Sequence, residues 1–171
     1  MNKQELKHSR TVLEYLVMIN ELSYSGIGRE LNITPQQFSD WIKKRRPIPQ
    51  ERLQALAQYF GVEETVLVDN HQYTKPLTTL AKIELHILLI EQKVAQLEAE
   101  GADEEDIEPY RQSKVKLQRE RTDELRLARV AAVLQQGDER TDAIIDFVLN
   151  ELETGRLEDL SRKLQKGEGP K

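Results

Sequence analysis

The chain has 171 residues, enough for one sizeable domain or two small ones, with 38% hydrophobic and 32% charged side chains, where about 25% charged is usual. It contains no cysteine, which excludes disulfides, cysteine-ligated zinc and thiol catalysis and suits a reducing cytoplasm. The net charge of −5 is uneven: residues 1–75 hold 10 basic and 9 acidic side chains, net +1, and residues 76–171 hold 15 and 21, net −6.

In chain order, residues 6–22 place Leu6, Val12, Leu13, Leu16, Val17 and Ile19 at amphipathic-helix spacing. Charges interrupt every apolar run of this N-terminal stretch, so no secretory signal is expected, and nothing approaches the roughly 18 apolar residues of a membrane span. "LSYSGIGRELN" and "ITPQQFSDWIKKRRPIP" follow. Thr34 then Pro35 is a helix start, a hydroxyl N-cap followed by proline at the first helical position. From there Phe38, Trp41 and Ile42 fall on one face, while Gln36, Asp40, Lys43 and Lys44 fall on the other with Gln37 at its edge. A helix anchored by large apolar groups thus presents amides and cations outward, and Arg45 and Arg46 extend the basic run. Glutamine amides pair with adenine edges, and lysines reach guanine or phosphate. Asp40 is the odd member: it accepts from a cytosine or holds a neighbouring basic side chain.

"IPQERLQALAQYFGV" predicts a further helix, with Leu53, Leu56, Ala57 and Phe60 inward, Pro49 in its first turn and Gly61 as its C-terminal cap. "EETVLVD" reads as one more short helix. Residues 69–76, "DNHQYTKP", read as a polar linker. Beyond it, Leu80, Ile83, Ile87, Ile90, Val94 and Leu97 form a coiled-coil type seam, paired either between two copies or within the chain against residues 104–136. "AIIDFVLNELE" predicts a short apolar helix, and Leu157, Leu160 and Leu164 mark a last one before a flexible tail, 167–171.

The stretch "YSGIGRELNITPQQFSDWIKK", continuing through "RRPIPQERLQALAQYFGV", resembles the helix-turn-helix of the lambda-repressor/Cro family, the Xre-like transcriptional regulators, over roughly residues 6–68. The resemblance implies an all-α protein with a five-helix DNA-binding domain, residues 1–68. A helical hairpin or bundle for oligomerisation or regulation, residues 77–166, follows the linker. It also implies that Gln36, Gln37 and Asp40 read bases, that Lys43 and Lys44 lie near the backbone, and that Tyr24 and Ser25 touch phosphate. Thr34, Arg45 and Arg46 complete the expected DNA-binding set. The chain departs from the family pattern where Gly28 replaces the usual alanine, Asn32 the usual turn glycine, Tyr24 a common glutamine, and the basic run a glycine after Trp41.

His8, His71 and His86 have no metal-ligand spacing, and no nucleophile–base pattern or phosphate loop occurs. Neither enzyme activity, a metal nor a cofactor is expected. The expected function is a cytoplasmic, sequence-specific repressor of bacterial or phage type. It would bind double-stranded DNA as a dimer on an inverted repeat, with a regulatory protein or peptide received on the C-terminal helices. The alternatives are a helical interaction adaptor and an antitoxin that binds its own promoter.

Overall fold

The computed structural model describes residues 11–166. Leu6, His8, the side chain of Leu164 and the expected tail 167–171 lie outside the described residues. Among those residues the protein is all-α: nine helices, no strand, and two isolated bridge pairs, Thr11 with Pro76 and Val68 with Thr74. No described helix is long and apolar enough to cross a membrane. The chain divides into two compact units, Met1–Leu117 and Gln118–Lys171.

The first unit opens with α1 (Val12–Ile19), capped by the Thr11 hydroxyl, which accepts from the Glu14 N–H at 3.2 Å. Asn20 ends it, with its side-chain amide donating to the Leu16 carbonyl at 2.8 Å. Helices α2 (Tyr24–Leu31) and α3 (Pro35–Ile42) follow, then α4 (Gln50–Phe60) and the single turn α5 (Glu64–Leu67). Pro49 is the N-cap of α4 rather than a first-turn residue, and Gly61 takes the left-handed C-cap at φ 63°. Leu13, Leu16, Ile27, Phe38, Ile48, Leu53, Leu56 and Leu67 are fully buried together. At about 1.5–3 kcal/mol for each such side chain, this burial outweighs the roughly 1 kcal/mol of helix propensity lost at each of Gly26 and Gly28.

The stretch read as a linker is built into this core. The Thr74 side chain is fully buried and donates to the Trp41 carbonyl at 2.8 Å. The Lys75 carbonyl accepts from the Val12 N–H at 3.0 Å, and the Gln72 carbonyl from the Ile48 N–H at 2.8 Å. Asp69 Oδ1 accepts from the backbone N–H groups of His71 and Tyr73, at 2.9 and 3.1 Å. Those two bonds, with the His71 bond the largest cause, hold its carboxyl below the usual range. The polar composition marks a turn; its backbone groups find protein partners instead of water.

Helix α6 (Thr79–Glu100) continues the first unit. Its Leu85 is buried in the core cluster, Ala81 and Leu88 pack on it, and the Gln92 amide donates to the Gly61 carbonyl. The left-handed Gly101 closes α6, and α7 (Glu104–Leu134) begins. Lys114 pairs with Glu91 at 2.8 Å and Arg111 with Glu98 at 2.9 Å. Taken in order, these pairs set the start of α7 antiparallel to the second half of α6. In the seam, Ile83 is buried and Leu80, Ile87, Ile90, Val94 and Leu97 are half-buried.

The second unit holds the rest of α7, then α8 (Glu139–Glu153) and α9 (Leu157–Lys166). The Asp138 carboxylate caps α8, accepting from the Arg140 N–H at 3.3 Å and the Thr141 hydroxyl at 2.7 Å. These bonds, the Thr141 hydroxyl first, lower its pKa. Helix α8 packs on α9, and Arg156 pairs with the buried Glu151 at 3.1 Å.

Candidate nucleic-acid interface

The site is assembled by the turn between α2 and α3. Ser23 caps α2, its hydroxyl accepting from the Gly26 N–H at 3.0 Å. Asn32 ends the helix in the left-handed conformation, φ 53°, which asparagine tolerates better than most residues. The Ile33 N–H then donates to the Gly28 carbonyl at 2.8 Å. This folds the Ile33 carbonyl over the Gly28 Cα, where an added Cβ would lie well inside the 3.0 Å that real Cβ atoms keep. Gly28 is therefore required by the turn. Arg52 of α4 donates to the Leu31 carbonyl at 2.7 Å and ties the turn to the core.

Helix α3 starts with a reciprocal cap. The Thr34 hydroxyl accepts from the Gln37 N–H at 3.2 Å, and Gln37 Oε1 accepts from the Thr34 N–H at 2.8 Å. Phe38 and Trp41 are buried edge to face, with ring centroids 5.7 Å apart, and Ile42 is half-buried. Gln36 and Gln37 on the opposite side are exposed, and so are Lys43, Lys44, Arg45 and Arg46 at the far end.

Asp40 organises this surface. Its carboxylate accepts from Gln36 Nε2 at 3.0 Å and faces the guanidinium groups of Arg45 at 3.6 Å and Arg46 at 3.9 Å. Only 14% of its side chain is exposed, against 59% and 78% for the two arginines. Of the two roles the sequence leaves open to Asp40, the geometry matches the holding of neighbouring basic side chains. Exposed pairs at such distances add little stability; their effect is to keep two cations beside Gln36. The basic run turns sharply at Lys44, which stands at φ 55° where helices usually place glycine. Its N–H donates to the Trp41 carbonyl at 3.0 Å, and the Arg45 N–H reaches the Asp40 carbonyl at 2.8 Å.

Tyr24 is half-buried, its ring 5.5 Å from that of Phe38, and burial followed by the charge of Glu14 raises its pKa. Ser25 is exposed, and its carbonyl accepts from Arg29 Nε at 3.4 Å. The structure thus brings Thr34, Gln36, Gln37, Asp40 and the basic run onto one helix and its end, and turns the Tyr24 ring toward the core. Sequence reasoning missed Ser23, Arg52 and Thr74. The serine was legible as a cap three residues before Gly26; the two long-range bonds to Leu31 and Trp41 carbonyls leave no local pattern.

Among the described residues no group of three or more His, Asp or Glu is placed to hold a metal. No protein-family model matches the chain, and no curated protein or solved structure matches it at a significant level.

Proposed function

We propose that this chain is a sequence-specific DNA-binding regulator of bacterial or phage type, a repressor acting as a dimer on an inverted repeat. In this reading α1–α5 are a lambda-repressor-like domain, α2 and α3 its helix-turn-helix, and the later helices a hairpin and bundle that pair two copies. The observation that carries it is α3 itself. Its apolar face is locked in the core, and its outer face ends in four exposed cations beside an amide held by Asp40.

That amide bond has a chemical consequence. With one Nε2 hydrogen given to Asp40, Gln36 retains a second hydrogen and its Oε1, the donor–acceptor pair that matches adenine N7 and N6. Gln37 already spends Oε1 on the helix cap, so Gln36 is the principal base reader. Lys43, Lys44, Arg45 and Arg46 supply phosphate contacts, which position the helix without reading sequence. A single module makes few contacts. Two modules one helical turn apart, about 34–36 Å, combine their binding energies less a linkage cost. A role on cytoplasmic DNA follows from the same reading.

The test is to select fragments of the source genome with the purified chain at near-physiological salt and sequence them. An enriched inverted repeat is expected. Gln36→Ala should relax preference at one base of each half-site by about 1–3 kcal/mol. Lys43→Ala with Lys44→Ala should weaken binding on every sequence and reduce the logarithmic salt slope by about 1.8. Random fragments recovered throughout, with both variants indistinguishable from the parent, would overturn the proposal.

A further inference from the structure

The described part of the second unit has little core of its own. Leu160 and Glu151 are its only buried described side chains, with Ile145, Phe147 and Val148 half-buried, and about fifty residues of helix cannot stay compact on so few apolar groups. Its other large apolar side chains lie outside instead. On α7, Leu127, Val130 and Leu134 are 64%, 44% and 43% exposed and fall on one narrow stripe at 100° per residue. On α8, Ile144, Leu149 and Leu152 are 49%, 48% and 43% exposed and share one side. We propose that a second copy of this chain covers these stripes, so that the second unit is a dimerisation element completed only in the pair.

Size and charge both point to a second copy. Nine large apolar side chains among the described residues of this unit are exposed, each by roughly half, and six of them make up the two stripes. At about 60–120 Å² of apolar area for a full side chain, those six offer roughly 200–350 Å². An interface at the small end of the standard range, about 600 Å² per partner and somewhat over half apolar, needs about the same. The distal part of α7 carries Arg119, Arg121, Arg126 and Arg129 against three acids, whereas α8 carries one arginine against five acids. Setting α8 of one copy against α7 of the other meets acid with base twice over by symmetry, which a foreign partner would have to reproduce on both helices. The seam on α6 is a poorer candidate, since each of its apolar side chains is already buried or half-buried. The inference names the surface behind the dimer proposed above but does not rest on DNA contact, and its test contains no DNA.

The full chain should sediment at twice 19.8 kDa from micromolar concentration upward. Val130→Glu with Leu149→Glu should convert it to a monomer while the first unit keeps its cooperative unfolding transition. Because the chain has no cysteine, crosslinking is unambiguous: mixed Val130→Cys and Leu149→Cys chains should join on mild oxidation far faster than chains labelled at the exposed Glu105→Cys. That second measurement decides even where the glutamates unfold the unit. A monomer at every concentration overturns the proposal. So does a dimer that tolerates both glutamates and crosslinks no faster than the Glu105 control.

Discussion

Two backbone positions decide how α3 is held, and substitutions at them have opposite signs. At Gly28 the Ile33 carbonyl occupies the space of a Cβ. Gly28→Ala should therefore lose about 1–3 kcal/mol in urea unfolding, although alanine is the better helix former. Lys44 stands in the left-handed region at φ 55°, so Lys44→Gly should gain about 1 kcal/mol in the same measurement. That variant also removes a cation from the proposed interface. If Lys44 touches phosphate, its salt slope should drop by about 0.9 while the fold becomes more stable. A lysine at this position carries its charge at the cost of backbone strain. At this scale the sequence was most legible where chemistry is local: Thr34 and Pro35 announce a helix start wherever they occur. Asp40 was legible only as a pair of options, because its choice of partner depends on Lys44 turning the chain back so that Arg45 and Arg46 reach it.

Between elements, the contacts that matter join segments far apart in sequence. Thr74 reaches across 33 residues to the end of α3. Thr74→Val keeps its volume and removes the hydroxyl, and should lower the unfolding free energy by about 1 kcal/mol. Tyr15 of α1 and His86 of α6 are a second such pair. The hydroxyl lies 2.7 Å from Nε2, with the rings stacked at 5.8 Å and Lys82 over the tyrosine. Burial first, and the Lys82 charge second, depress the His86 pKa below 6.5. In the unfolded chain the imidazole takes its proton near pH 6.5, and in the folded one only at lower pH. Stability is therefore fully present above about 6.5 and falls as pH drops from there through the folded-state value, by at most about 1.4 kcal/mol per pH unit. Replacing His86→Gln should flatten that part of the profile in thermal unfolding measured across pH. The helix faces behind these contacts were readable from periodicity, since Phe38, Trp41, Leu53 and Leu56 recur at helical spacing. Their partners were not, because a polar run such as residues 69–76 has the composition of a solvated connector whichever groups its backbone meets.

For the whole molecule the relevant boundary lies well past residue 68. A fragment of residues 1–117 should unfold cooperatively, whereas one of residues 1–68 loses Thr74, the Lys75 carbonyl bound by Val12 and the α6 side chains on the core. Circular dichroism melts of the two fragments check this: a sharp transition for 1–68 would show that the later contacts are ornaments. The sequence placed the acidic half away from the basic run and predicted long helices there. It could not show which apolar stripes would be covered, since Ile87 on α6 and Leu127 on α7 look alike as letters, and only the first is half-buried.

The stitching of residues 69–76 into the first unit also bears on ancestry. Modules recombine most readily where a loose linker joins them and few contacts cross. Here a crossover at residue 68 would remove the hydrogen bonds that Lys75 and Thr74 make to the ends of α1 and α3, and the hybrid would be destabilised before its new half could be tried. Productive exchange would have to fall beyond α6, so α1–α5 and α6 should travel through lineages as one inherited block.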